Sequence, residues 1–166
     1  MPRKTLIEYL DAGARWTGIP ALAEGHPRRR PLRWPSTVAL ALASAGFLMT
    51  FGRSDNWVWY GVLMAGFILG NFMPIWGPLK PWGGIERVDE YDRSFRARAY
   101  LVAFTWLSAV AVFGTWAIVG FSAAQNWDVS MLRLTLVKMG FLMAAIYSAG
   151  PTCYASWAQK PVNDDL

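Results

Sequence analysis

The stretch WGPLKPWGGIERVDEYDRSFRAR, residues 76–98, decides how the whole chain is read. It is the long polar segment with apolar runs of helix length on both sides, and it divides the chain into two similar halves. Pro78, Pro81 and the Gly83-Gly84 pair break its first part, which favours a turn. In its second part Glu86, Asp89, Glu90 and Asp92 are followed by Arg93, Arg96 and Arg98. Acids at a helix start and arginines further in suit the helix dipole. Asp89 and Arg93, like Asp92 and Arg96, stand four apart with the acid first, which supports a helix. The order predicts a helix running from about Glu86 straight into the apolar run after Arg98.

Composition places that segment in a membrane protein. Hydrophobic residues make up 54% of the 166 and charged residues 16%, with mean hydropathy +0.23. Ordinary soluble domains carry about 25% charged residues. The charges are bunched, which leaves long uncharged runs at about 35–52, 57–73, 99–122 and 129–150. Roughly 20 residues at about 1.5 Å rise cross the hydrocarbon core. Four such helices in a chain this short could not all bury one another in water. The expected fold is an all-α integral membrane protein of four transmembrane helices arranged as two hairpins. Residues 34–151 form that domain, with 74–98 as the connector and the helix extension before the third span.

Local signals punctuate the runs. Pro35 or Ser36 opens the first, and Ala39, Ala41, Ala43 and Ala45 give it a small face suited to close packing in lipid. Gly66 and Gly70 mark a contact face on the second, with Asn71 beside it, and Gly140 is expected in a packing face of the fourth. Pro74 and Gly77-Pro78 are expected to end the second run and Pro151 the fourth. Residues 52–56 and 125–128 read as short turns. A faint echo links the halves, with Asn56-Trp57 matching Asn126-Trp127 and Gly77-Pro78 matching Gly150-Pro151. It would relate two hairpin repeats by an axis along the membrane normal, although residues this common here also match by chance.

The ends are polar. Residues 1–33 form a basic segment in which Leu6, Ile7, Leu10 and Ala14 have helical spacing, as in a short interfacial helix. No apolar run and cleavage site follow the basic start, so a signal peptide is not expected. Arg28, Arg29, Arg30 and Arg33 form a collar before the first span. Residues 152–166 are a short tail. Lys and Arg number seven up to Arg33 and five in the middle stretch through Arg98, against Arg53 alone in the first turn. By the positive-inside rule both termini and the connector face the cytoplasm, as in a multi-pass protein of a bacterial inner membrane. Trp34, Trp76, Trp82 and Trp157 then belong to the inner interface, and Trp57, Trp59 and Trp127 to the outer one.

The net charge of +5 and pI near 9.7 are assigned to headgroups, not nucleic acid, because the basic residues flank apolar spans. The lone Cys153 gives no disulfide framework, redox pair or thiolate metal site. The lone His26 lies outside the spans, so the chain has no His for a haem inside the membrane. Glu86, Asp89 and Glu90 share a helix face that could hold a hard cation. The same residues serve better as a helix start or docking surface, with Arg93, Arg96 and Arg98 anchoring the third span.

Lys138 is the charge well inside a span, with Arg133 nearer its outer end. Such charges are expensive and mark functional sites by default. No Asp or Glu lies in a span. Two fates are therefore open to Lys138: snorkelling outward, or meeting an acidic group, lipid phosphate or cofactor of a neighbouring subunit. Asn71, Thr105, Ser108 and Thr115 are expected to bond between helices. Trp106 and Trp116 could line a groove for a lipid, quinone or pigment, although no cofactor is intrinsic to the pattern.

No nucleophile–base pair can form without His, Asp or Glu in the spans. The expected function is that of a non-catalytic accessory subunit in a larger membrane complex, with a respiratory or photosynthetic complex as the type considered. It would act in assembly and in helix, lipid and cofactor packing. Its partners would be other integral membrane subunits and anionic lipids. The alternative is a small oligomeric transporter, although small four-span multidrug exporters use a membrane-embedded Glu that this chain lacks. Four-span thiol-redox quinone enzymes need paired cysteines, which are also missing.

Overall fold

The computed structural model describes residues 31–52, 57–79 and 89–159. Their regular structure is entirely helical: α1 (Arg33–Thr50), α2 (Trp57–Trp76), α3 (Glu90–Gln125) and α4 (Val129–Ala158). The N-terminal interfacial helix, the collar of Arg28, Arg29 and Arg30, and Glu86 lie outside the described residues. So do the first turn beyond Gly52 and the tail after Gln159.

Helix ends follow local chemistry. Asp89 caps α3, its Oδ1 accepting from the Asp92 amide at 2.7 Å. The carboxylate satisfies one of the orphan donors of the first turn, so α3 starts at Glu90 and not at Glu86. At the far end Asn126 adopts the left-handed conformation (φ 50°), which lets the Trp127 amide reach the Ser122 carbonyl. Asp128 then caps α4. The sharp turn between α3 and α4 is thus built by the Asn126–Asp128 segment.

Two expected stops are not stops. Pro74 lies within α2, which runs to Trp76 before Gly77 and Pro78 bend the chain. Pro151 lies buried inside α4, which continues to Ala158. A proline removes one amide donor and crowds the preceding turn, and neighbouring helices compensate for that loss in membrane helices. Near the end of α4 the Leu32 amide donates to Ser156 Oγ at 2.9 Å, and Arg33 binds the Ser156 and Gln159 carbonyls.

The contacts fix the packing. Gly46 meets Leu63 and Gly66 meets Ala43 and Ala39, so α1 and α2 run antiparallel. Gly150 faces Ala103 and Gly114 faces Met139, so α3 and α4 are antiparallel too. Gly70 lies on Ala145 and Gly77 on Thr152, which sets α2 parallel to α4. Helix α4 touches all three others, whereas α3 packs mainly on α4, with Phe121 meeting Phe51 at the end of α1 edge to face. An exact two-fold relation between hairpins would pair α2 with α3 as it pairs α1 with α4. The sequence echo therefore does not extend to packing.

The core is made of Ala43, Phe47, Leu63, Ile118, Met139, Leu142, Ala145 and Ile146. The outer surface is more apolar than this core suggests. Leu101, Phe104, Phe113 and Trp116 of α3 all point away from the bundle. A continuous exposed apolar face of this kind marks lipid or partner contact. Helices α2, α3 and α4 are each long and apolar enough to cross a membrane. Helix α1, with 18 residues opening on Arg33-Trp34-Pro35-Ser36-Thr37, is not among them. By rise, the 36 residues of α3 extend about 54 Å. That exceeds the hydrocarbon core of roughly 30 Å, and the charged residues of α3 lie in its first turns.

Candidate functional site

Helices α1 and α4 hold each other at both ends, and cations do the holding. At one end Arg33 of α1 donates from Nε to the Ser156 carbonyl and from Nη2 to the Gln159 carbonyl, each at 2.9 Å. Its guanidinium also lies over the Trp157 ring, 5.6 Å from the centroid. At the other end Lys138 of α4 donates from Nζ to the Thr50 carbonyl, the last of α1, at 3.2 Å. Each helix thus places a cation on the carbonyl end of the other, where the helix dipole is negative. Antiparallel packing makes the reciprocity possible. The contacts also put residues 33 and 159 at the same end of the bundle.

Lys138 thus reaches a carbonyl of its own chain at the end of α1. It is 2% exposed and bonded within its own chain. The sequence concealed this partner because a helix-terminal carbonyl carries no residue signature. Thr50 Oγ1 bonds back to the Gly46 carbonyl at 2.8 Å, and Thr135 lies buried one turn before Lys138. Arg133 is exposed on the surface.

The Arg33 end is a network. Trp157 Nε1 donates to Thr37 Oγ1 at 3.1 Å, and Thr37 lies 3.5 Å from Cys153 Sγ. Trp34 meets Trp157 edge to face at 5.9 Å. Ser36 and Ser156 are fully buried, and Ser36 Oγ donates back to the Leu32 carbonyl. Arg96 of α3 is buried as well, 4% exposed, while Arg93, Arg98 and Glu90 are exposed on the same helix. Asp89 is occupied as a helix cap, and Tyr91 stacks on Phe95 beside it.

The packing residues divide among different neighbours. Gly66 serves α1, and Gly70 serves α4. Asn71 also serves α4, accepting from Ser148 Oγ at 3.0 Å. Gly140, expected in a packing face, has open space where a side chain would go. Thr105 and Thr115 bond to carbonyls of their own helix. Gly46 is the residue that sequence reading missed. It follows Ala39 and Ala43 at spacings of four and three, so the small-residue stripe carried the signal.

Because α3 packs mainly on α4, a cleft opens between α1 and α3 with α4 as its floor. It encloses about 450 Å³. Leu40 and Ser44 form one wall, Val102, Trp106 and Val110 the other, and Leu142, Ile146, Gly150, Cys153 and Tyr154 the base. Trp106 lines this cleft, whereas Trp116 faces outward and takes no part in it. A second hollow of about 330 Å³ lies on the opposite flank of α3, beside Tyr100 and Tyr147.

Asp128 stands outside the helices, at the exposed turn. Its carboxylate accepts from Ser130 Oγ at 2.6 Å and from the Met131 amide at 2.9 Å. The Ser130 bond and then the Met131 bond hold its pKa below the usual carboxylate value. Among the described residues no group of His, Cys, Asp or Glu is placed to hold a metal ion.

No family, characterised protein or solved structure matches this chain.

Proposed function

We propose that the chain is a four-span integral-membrane subunit without catalytic chemistry, acting in the assembly and packing of a larger membrane complex. The observation that carries this reading is the use made of the polar groups among the helices. Lys138, Arg33, Asn71 and Ser148 hold one helix to another. Meanwhile α3 keeps a long apolar face beyond its packing on α4, and a partner helix or lipid suits such a face. Helix α1 is the fourth span, carried by its contacts with α2 and α4. Both termini and the connector lie on the cytoplasmic side of a bacterial inner membrane, supported by the charge count. The projecting start of α3, with Asp89, Glu90, Arg93 and the Tyr91–Phe95 stack, is the docking surface for a partner. An energy-transducing parent complex is the type this reading considers first.

The test is extraction of native membranes in mild detergent, followed by identification of what co-purifies. A stoichiometric set of other membrane subunits is the expected result. A homo-oligomer that moves cations or drugs across liposomes would sink the proposal in favour of a transporter.

A further inference from the structure

We infer that the cleft between α1 and α3 binds one acyl chain of an anionic phospholipid, with its headgroup at the arginine end of the bundle. The inference rests on the membrane-spanning reading and adds a site, an occupant and an orientation to it. Length supplies the first argument. From Leu142 to Tyr154 the floor measures about 18 Å by helical rise, and from Val102 to Val110 the wall measures about 12 Å. One leaflet of a hydrocarbon core roughly 30 Å thick is about 15 Å deep. The cleft is thus as long as one leaflet, and its volume of about 450 Å³ falls in the usual range for bound small molecules. Gly150 and Ala103 meet at its base, where a side-chain carbon on Gly150 would lie 3.2 Å from Ala103. Such a narrow floor suits a flexible chain better than a flat ring.

Charge supplies the second argument, independently of shape. Val102, Trp106 and Val110 follow one another every four residues along α3. Arg98 is the preceding member of that row and is exposed about 6 Å beyond the cleft. Arg33 of α1, half-buried and bonded to the Ser156 and Gln159 carbonyls, lies at the same end of the bundle, one turn beyond Thr37 and its neighbour Cys153. Cys153 and Tyr154 of the cleft lining also lie at this end. The acids Asp89, Glu90 and Asp92 lie farther out, at least six residues or about 9 Å beyond Arg98 on the same helix. Cations at the depth of the phosphate with acids outside them complement an anionic headgroup.

The experiment uses the full chain purified in mild detergent, stripped of lipid, then exposed to phosphatidylglycerol or phosphatidylcholine with matched acyl chains. Native mass spectrometry counts the lipid retained. The expected result is one phosphatidylglycerol per chain, preferred over phosphatidylcholine. Arg98→Gln should cut that preference about five-fold. Ser44→Phe, which fills the cleft, should cut retention at least ten-fold, whereas Gly140→Leu on the open face should not. Should Ser44→Phe fail to fold, a photoactivatable phosphatidylglycerol on the wild-type chain serves instead, and its adducts should fall on Val102, Trp106 and Ile146.

Equal retention of both lipids overturns the inference. So does labelling spread along the outer face of α3, or retention of a quinone in place of the phospholipid. Resistance of the chain to carbonate extraction from membranes tests the underlying membrane reading separately.

Discussion

Alanine at Gly66 or Gly46 should loosen the bundle, while alanine at Gly61, Gly120 or Gly140 should not. The geometry sets the size of the effect. At Gly66 a Cβ would lie 2.8 Å from the Ala39 carbonyl oxygen and the Ala43 Cα, and closer still to the Ala43 amide. At Gly46 it would lie 2.6 Å from Leu63 Cα. Backbone atoms cannot rotate away. Ordinary contact begins at 3.4 Å, and the nearest backbone amides of Ala43 and Leu63 set the shift, so α1 and α2 must part by about 1 Å. A gap of that size forfeits about half of each contact worth about 0.1–0.2 kcal/mol. Over roughly forty atom pairs at such a crossing the loss is about 2–4 kcal/mol. Alanine returns up to about 1 kcal/mol of helix propensity, leaving a net loss of roughly 1–3 kcal/mol per substitution.

At Gly61, Gly120 and Gly140 nothing lies within 4 Å, and only the propensity gain remains. Unfolding of the micelle-bound protein by sodium dodecyl sulfate, followed by circular dichroism, measures both sets. Gly46 and Gly66 share one crossing, so the double variant should lose little more than the worse single one. Stability at Gly66→Ala equal to that at Gly140→Ala would refute the packing, and so would full additivity of the pair.

Lys138→Met removes the hydrogen bond to the Thr50 carbonyl, so hydrogen exchange at the Phe51 amide, in the C-cap of α1, should speed up. Unchanged exchange there would contradict the helix-end role. Asp128 should make stability pH-dependent. Its folded pKa is depressed, so its contribution is complete above the ordinary aspartate value of about 4. That contribution fades as pH falls through the lower folded value. Asp128→Asn keeps a capping side chain but cannot titrate, so its unfolding midpoint should fall less on acidification than that of the wild type.

Much of the fold was legible because its signals are local. Asp89, Asn126 and Asp128 act on amides and carbonyls within a few residues of themselves, and the sequence alone brings those groups together. The small-residue stripe of Ala39 and Ala43 and the glycines at 66 and 70 likewise announced close contact. They could not say with which helix, and Gly66 and Gly70 in fact serve different ones. Pro74 and Pro151 misled for the complementary reason. A proline's local cost is certain, but whether the helix runs on through it depends on packing against residues far away along the chain.

The sequence by itself determined that the chain forms long apolar helices around a charged connector, since composition and helix-length runs depend only on neighbours along the chain. Tertiary structure alone decided that α4 stands at the centre, that α3 leans away to open a cleft, and that Lys138 rests on the end of α1. The physical reason is the apolar surface of the helices themselves. In a water-soluble protein, polar and apolar faces tell a helix which side to bury. In α2, α3 and α4 the long apolar stretches carry little polar contrast between faces, so neighbours are chosen by shape and by a few long-range hydrogen bonds, and these exist only once the helices are side by side.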